Sequence, residues 1–179
     1  MEHKGTVPLE TPRLLLRALT PNDAPLVFKN WASDSDVTHY MRWNPHADLA
    51  VTQNWIAEIQ GNLADPACYE WGIVLKETGE PIGSIGGFPN KEEPERWEVG
   101  YALSKKYWRQ GIVTEALLRV MDFFKNDVGI HSFICKHAKE NPASGAVMRK
   151  AGFHYVKDGS YTSFDGKRSY EARVYYLDA

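Results

Sequence analysis

A chain of 179 residues and 20.3 kDa has the length of one domain, and 43% hydrophobic against 25% charged residues is the balance of a globular protein with a sizeable core. A net charge of -2 and a pI near 6.3 exclude the broad basic surface with which a protein neutralises nucleic-acid phosphates. Two cysteines, Cys68 and Cys135, make neither a disulfide framework nor a CxxC metal pair, which fits a reducing, cytoplasmic setting. MEHKGTVPLE has no apolar run of signal-peptide length, and no later run is long enough to span a bilayer, so neither secretion nor a membrane partner is expected.

In chain order, RLLLRAL from Arg13 to Leu19 is an apolar run between two prolines and predicts a first strand. Thr20, Pro21 and Asp23 are a cap, a first-turn proline and a first-turn acid, followed by Leu26, Val27 and Trp31 at helical spacing. HYMRWNPH, His39 to His46, predicts a loop, and a second helix runs from about Ala50 to Gly61. From Tyr69 the period changes to two: YEWGIVL, PIGSIGGF and WEVGYAL predict a three-strand meander. The glycines of GSIGG, within a strand, mark a bulge or close packing rather than a nucleotide loop. Val113, Ala116, Leu117, Val120, Phe124 and Val128 form the stripe of a helix laid on a sheet. A short strand from Ser132 to Cys135 follows, then a helix opened by Asn141-Pro142, with Ala146, Val147 and Ala151 inward and Gly152 as a left-handed cap. Strands at about His154–Lys157 and Ala172–Leu177, joined through an Asp165-Gly166 turn, finish the chain. No linker or internal repeat divides residues 1–179, so the expectation is one mixed α/β domain with about seven strands and helices on both faces.

YWRQGIVTEAL, Tyr107 to Leu117, stands between a strand and a helix. A helix start offers unpaired N–H groups and a positive dipole end, Gly111 permits close backbone approach, and Arg109 adds a charge suited to phosphate. Taken alone, Gly111 is equally a tight strand-to-helix turn. Neither GxxxxGK[ST] nor GxGxxG is present.

EVGYALSKKYWRQGIVTEAL followed by ENPASGAVMRKAGF resembles the acetyl-CoA-binding core of the GNAT N-acetyltransferase superfamily, in particular its RimJ/RimL-type branch, and LETPRLLLRALTPND is similar to the opening of that branch. The resemblance runs over essentially the whole chain and implies a GNAT fold, mostly antiparallel and splayed in the middle of its sheet. It implies that backbone amides in a Gln/Arg-x-x-Gly-x-Gly/Ala loop cradle the CoA pyrophosphate, here Trp108 to Val113, with Trp108 and Val113 as departures from the pattern. Arg109, Gln110, Gly111, Ile112, Val113 and Thr114 are thus the expected cofactor loop. Tyr101, Ala102 and Leu103 are the expected splayed strand, often bulged in this family, whose free main-chain groups pair with pantetheine and polarise the thioester carbonyl.

Direct transfer from the thioester to an amine, as the resemblance implies, needs no enzyme nucleophile, and the two cysteines read as small buried hydrophobes. Glu98 matches a position at which many family members carry a base; it reads equally as a surface strand carboxylate. Ser144 matches a serine that can donate to the departing sulfur, and also fits a first-turn residue serving the backbone. Asn141 matches a CoA-contacting asparagine and is also a good N-cap. The acceptor is expected at Tyr40, Arg42 and Trp43, flanked by His39 and His46, with Tyr161 and Phe164 opposite; packing beneath a long loop is the alternative for each. His137, just after a strand, reads as structural, and no HExxH pair predicts a metal.

The resulting expectation is an acetyl-CoA-dependent N-acetyltransferase, a monomer or homodimer with no metal and no direct nucleic-acid contact, acting on a protein N-terminal α-amine. Its reference pKa of roughly 8, against roughly 10.4 for lysine, leaves more neutral nucleophile at pH 7. Two alternatives remain: acetylation of a small amine such as a polyamine, aminoglycoside or amino-acid-like compound, and a CoA-binding module without catalysis.

Overall fold

The period-two stretch from Tyr69 to Leu103 becomes the centre of the sheet in the computed structural model, which describes residues 1–179. Strands β1 (Leu9–Glu10), β2 (Leu14–Arg17), β3 (Tyr69–Leu75), β4 (Glu80–Pro89), β5 (Trp97–Leu103), β6 (Ser132–Ala138), β7 (His154–Thr162) and β8 (Ser169–Asp178) lie in the order β1-β2-β3-β4-β5-β6-β8-β7. Every neighbouring pair is antiparallel except β5 with β6. There are eight strands rather than about seven; the addition, β1, is two residues in the polar lead, too short to show a period. The first predicted strand shortens to Leu14–Arg17, while the last two lengthen. KDGSYT in β7 lacks apolar alternation because this edge strand is exposed along most of its length.

The first helix is broken: a 3-10 turn Pro21–Asp23, an α-helical turn α1 (Ala24–Val27) and a π-helical turn Phe28–Ala32. The Asp23 carboxylate accepts the Thr20 N–H (2.7 Å) and ion-pairs with Arg17 (2.8 Å), which fixes the turn. A four-residue helix α2 (Ser35–Thr38) precedes the expected loop, and α3 (Leu49–Asn62) starts where the Asp48 carboxylate accepts the Val51 N–H.

Helices cover both faces. Leu19, Val27, Trp31, Ile56, Ile59 and Ala102 form one cluster, with α1 and α3 on the sheet. On the other face α4 (Ile112–Phe123), continued by a π turn Phe124–Val128, buries Ala116, Leu117, Val120 and Phe124 against Tyr69, Trp71 and Trp97. Edge-on aromatic contacts such as Tyr69 with Phe124, 5.0 Å between centroids, add about 1 kcal/mol each to the burial. Helix α5 (Pro142–Lys150) turns Gly145, Met148 and the following Ala151 inward, with Ala146 and Val147 only half-buried, one position off the predicted stripe. Gly152 (φ 95°) caps it as expected.

The glycine-rich β4 serves both of its anticipated purposes. The β3–β4 register shifts between Ile73 and Val74, opposite Gly83 and Pro81, and a side chain at Gly83 would strike the Ala102 carbonyl. The β4–β5 ladder, where the resemblance suggested a bulge, runs from Gly83↔Leu103 to Pro89↔Trp97 without a shift.

Candidate active site

Strands β5 and β6 pair only at Trp97↔Phe133 and Glu98↔Ile134; beyond Glu98 they part. Two strands that leave each other mid-sheet expose main-chain groups that must find other partners. Ser104 donates its N–H to Ile82 of β4, so by strand alternation Val99, Tyr101 and Leu103 present their main-chain groups to the opening. The Val99 carbonyl accepts from the Cys135 thiol (3.4 Å), and the Leu103 carbonyl from the Trp108 indole N–H (2.8 Å). Tyr101 and the Leu103 N–H remain available. Alternation turns the main chain of Ala102 toward β4, and its side chain packs among the α1–α3 cluster; of the three residues expected along this edge, it offers no free main-chain group.

The loop from β5 to α4 ends in two left-handed residues, Arg109 (φ 63°) and the N-cap Gly111 (φ 74°). For Arg109 that conformation costs about 1 kcal/mol, the kind of strain a functional loop retains. None of the backbone N–H groups from Arg109 to Thr114 donates to an acceptor within the protein, so six successive donors face outward at the positive end of a helix. The loop is braced from behind: Arg13 donates to the Gln110 carbonyl (2.9 Å) and to Glu115 (2.7 Å), and Glu115 also accepts from Thr11 (2.6 Å). The Gln110 side chain bonds back to the Lys106 carbonyl, leaving only its amide for a ligand. Val113 packs partly against the core, which leaves its amide free.

These groups open onto one cavity of about 1140 Å³ that reaches through the split sheet. Tyr40, Arg42, Trp43, Glu98, Tyr101, Ala102, Leu103, Arg109, Gly111, Ile112, Val113, Thr114, Asn141 and Ser144 all line it; of the expected residues Gln110 and the flanking His39 do not. Asn141 stands at the N-cap position of α5, as its sequence suggests, but its side chain makes no capping bond there, and the residue also lines the cavity. The Ser144 hydroxyl, rather than serving the helix backbone, lies 2.9 Å from the Tyr101 hydroxyl. Burial pushes the Tyr101 phenol well above its ordinary value, so it stays protonated and able to donate. His137 sits inside β6, not after it, where burial lowers its pKa and its ring packs on Tyr175. Cys135 is buried with its thiol pushed far up, which removes it as a nucleophile.

On the opposite side of the opening, Glu98 accepts from the buried Asn90 amide (2.6 Å) and faces Arg42 at 3.6 Å. Arg42 lies 5.4 Å over the Tyr161 ring. The acceptor loop is held by the β7–β8 hairpin: Arg168 donates to the carbonyls of Thr38, His39 and Trp43 and to Asn44, Tyr161 donates to the Tyr40 carbonyl (2.6 Å), and Tyr170 to that of His39. Burial, aided by Tyr170, pushes the Tyr161 phenol up to about 12. Phe164 stands exposed at the mouth, its N–H on the Arg42 carbonyl (2.7 Å). Trp43, His46 and Trp55 close the far wall.

Three functional candidates escape the sequence reading. Arg168 is one charge among 21 Lys and Arg, and its role depends on residues about 125 positions away. The Tyr101 hydroxyl meets its partner, Ser144, 43 residues further on, beyond any short window. Glu70 on β3, a carboxylate in an otherwise apolar run, was the legible one, and burial pushes it up to about 7.

A parallel pair opened mid-sheet, a left-handed loop of unpaired amides and one cavity that joins them make up the candidate site. A family model described as an acetyltransferase (GNAT) domain matches residues 13–154, and the chain belongs to this family. It is 28% identical, over 93% of its length and 92% of the relative's, to an uncharacterised N-acetyltransferase p20 of Bacillus licheniformis. Its fold is similar to that of a GNAT-family acetyltransferase of Bacillus anthracis (TM-score 0.80, 21% identity, covering 96% of this chain and 98% of that one). It is also similar to RimL, a ribosomal L7/L12 α-N-protein acetyltransferase solved with coenzyme A (TM-score 0.79, 17% identity, 96% and 98%). No helix is long and apolar enough to cross a membrane.

Proposed function

We propose that this N-acetyltransferase takes acetyl-CoA in the split between β5 and β6 and transfers the acetyl group to a primary amine entering from the side of Tyr40, Arg42 and Trp43. The observation that carries the reading is the run of unpaired amides from Arg109 to Thr114 continuous with the open edge of β5. A pyrophosphate fits the former and an extended amide-bearing arm the latter. Bound there, acetyl-CoA supplies an activated acetyl group; the chain supplies position and proton traffic. The Leu103 and Tyr101 main chain polarises the carbonyl, the Tyr101–Ser144 hydroxyl pair protonates the leaving sulfur, and Glu98, steadied by Asn90 and Arg42, meets the amine. Glu98 and Ser144 line the same cavity, which favours catalysis over a binding module.

A protein N-terminal α-amine is the preferred acceptor, since an exposed aromatic mouth around Phe164 suits an entering chain end. Acetylation of a small polyamine is the second reading, favoured by three glutamates, Glu58, Glu70 and Glu98, on the cavity wall. Calorimetric titration with acetyl-CoA tests the first half, and no binding at millimolar ligand overturns it. Thiol release across N-terminal peptides, polyamines and aminoglycosides tests the second; turnover confined to polyamines moves the assignment to the small-amine reading.

A further inference from the structure

Glu70 has a place in the cavity that the roles above leave unused. It pairs across the sheet with Gly86, and Gly86 with Gly100. Cross-strand partners share a face, and Glu98, two residues from Gly100, lies on that face as well. The row therefore reads carboxylate, glycine, glycine, and ends at β5 just past the point where β6 departs. A side chain on Gly86 would come within 2.5 Å of Glu70 Oε2, so the carboxylate leans over that glycine toward β5. Above Gly100 nothing stands within 4 Å of where a side chain would begin. Two missing side chains thus leave an open path from the Glu70 carboxylate to the split edge beside Tyr101.

Glu70 takes part in no ion pair and accepts no hydrogen bond; burial alone acts on it. Glu98 differs, being tied to Asn90 and Arg42. Arg42, Glu58 and Glu98 line the same cavity, as do His46 and Lys136, and the Cys68 thiol is raised in part by the Glu70 charge.

Resting on the acetyltransferase reading above, we infer that Glu70 is the catalytic residue that takes the proton from the incoming amine, while Glu98 with Arg42 positions that amine. An ammonium arriving over Gly86 and Gly100 gives one proton to the Glu70 carboxylate. Its nitrogen lone pair then forms the C–N bond to the acetyl carbon as the C–S bond breaks. The second nitrogen proton, lost as the amide forms, replaces the one that the Tyr101–Ser144 pair gives to the departing sulfur, and the first, the one net proton released, passes from Glu70 to solvent. A base titrating close to neutrality is well matched to this task.

Two measurements test it. In the ligand-free, full-length protein, carbon-13 NMR of side-chain carboxyls, with Glu70 assigned by its loss in Glu70→Gln, is expected to show a midpoint near 7; a midpoint in the ordinary glutamate range near roughly 4.3 overturns the inference. With acetyl-CoA and either the tripeptide Ala-Ala-Ala or spermidine as acceptor, Glu70→Gln is expected to lower kcat by about 10²-fold or more and abolish the acid limb of the rate profile, with the acetyl-CoA KM unchanged. Glu70→Asp retains the limb at reduced rate. Glu98→Gln mainly raises the acceptor KM and keeps the limb; if it, rather than Glu70→Gln, removes the limb, Glu98 is the proton acceptor. Absence of acetyl-CoA binding defeats the acetyltransferase reading itself, while the NMR midpoint still reports on Glu70.

Discussion

The two sides of the split sheet are built in different ways. The side that would hold acetyl-CoA is written in backbone: free amides from Arg109 to Thr114, the open edge at Tyr101 and Leu103, and a left-handed glycine, all between residues 101 and 114. The acceptor side is written in side chains brought from far apart, with Arg168 and Tyr161 of the final hairpin holding a loop more than 120 residues earlier. A backbone site tolerates many side chains as long as the chain path survives. A side-chain site changes its specificity whenever one tether changes, so a common cofactor can be kept while acceptors diverge.

The largest way to break that contrast is at Arg168. Removing a cation that serves three carbonyls and Asn44 leaves several acceptors of the loop unsatisfied, at a cost on the order of 3 kcal/mol. Arg168→Ala is expected to raise the acceptor KM by ~100-fold with acetyl-CoA affinity within a factor of two, measured by steady-state kinetics and calorimetry. Equal losses of both would mean that the two sides are not separable.

Glu70 stands between the sides, and its effect is read as stability. Its pKa in the folded chain is raised from 4.5 to about 7, so between these values the folded state holds a proton that the unfolded state has released. Stability therefore falls as pH rises through that window, and the full penalty is present above about 7. Glu70→Gln removes the penalty. The variant should be more stable than the parent at pH 8, by on the order of 1 to 3 kcal/mol, with the difference shrinking toward pH 4, as followed by thermal melts. A variant less stable at pH 8 than the parent would show that the carboxylate has a partner in the fold.

The sequence shows the backbone side far better than the acceptor side, for a physical reason. Strand-to-helix turns impose local demands, so Gly111, the apolar stripe after it and Asn141-Pro142 are all visible in short windows, and the resemblance to the GNAT loop adds its chemistry. Contacts such as Arg168 to Trp43 depend on register across β8 and β6, which no window contains. The same holds for Glu70: its partnership with Gly86 and Gly100 exists only across three strands. Element ends are illegible where propensity and period are weak, as in the exposed β7 and the two-residue β1. The expected main-chain role of Ala102 failed on strand alternation, which swaps the hydrogen-bonding edge at each residue.

Within the backbone side, Gly111→Ala sharpens the comparison. A Cβ there meets only Arg13 Nη2 at 3.7 Å, so packing is not at issue; the φ of 74° is. The substitution is expected to cost about 1 kcal/mol of stability and about 5- to 10-fold in acetyl-CoA affinity, with the acceptor KM unchanged. Loss of the acceptor site instead would contradict the division between the two sides.

The smallest effect is expected at Trp108, whose side chain ties the backbone side together from the front as Arg13 and Glu115 do from behind. Its indole N–H caps the Leu103 carbonyl at 2.8 Å and so ties the loop to the strand whose edge it continues. The residue is 42% exposed, so the ring is only partly covered, and a phenyl ring keeps much of that contact. Trp108→Phe keeps an aromatic ring and deletes the donor. A net hydrogen bond of about 1 kcal/mol corresponds to roughly 5-fold in acetyl-CoA affinity if the tether preorganises the loop, and to none if the loop is already set by Arg13 and Glu115 behind it. The double variant with Arg13→Ala separates these: coupling between the two losses, measured by calorimetry, means that both ties hold the same loop geometry, whereas additive losses mean that they act on separate parts of it.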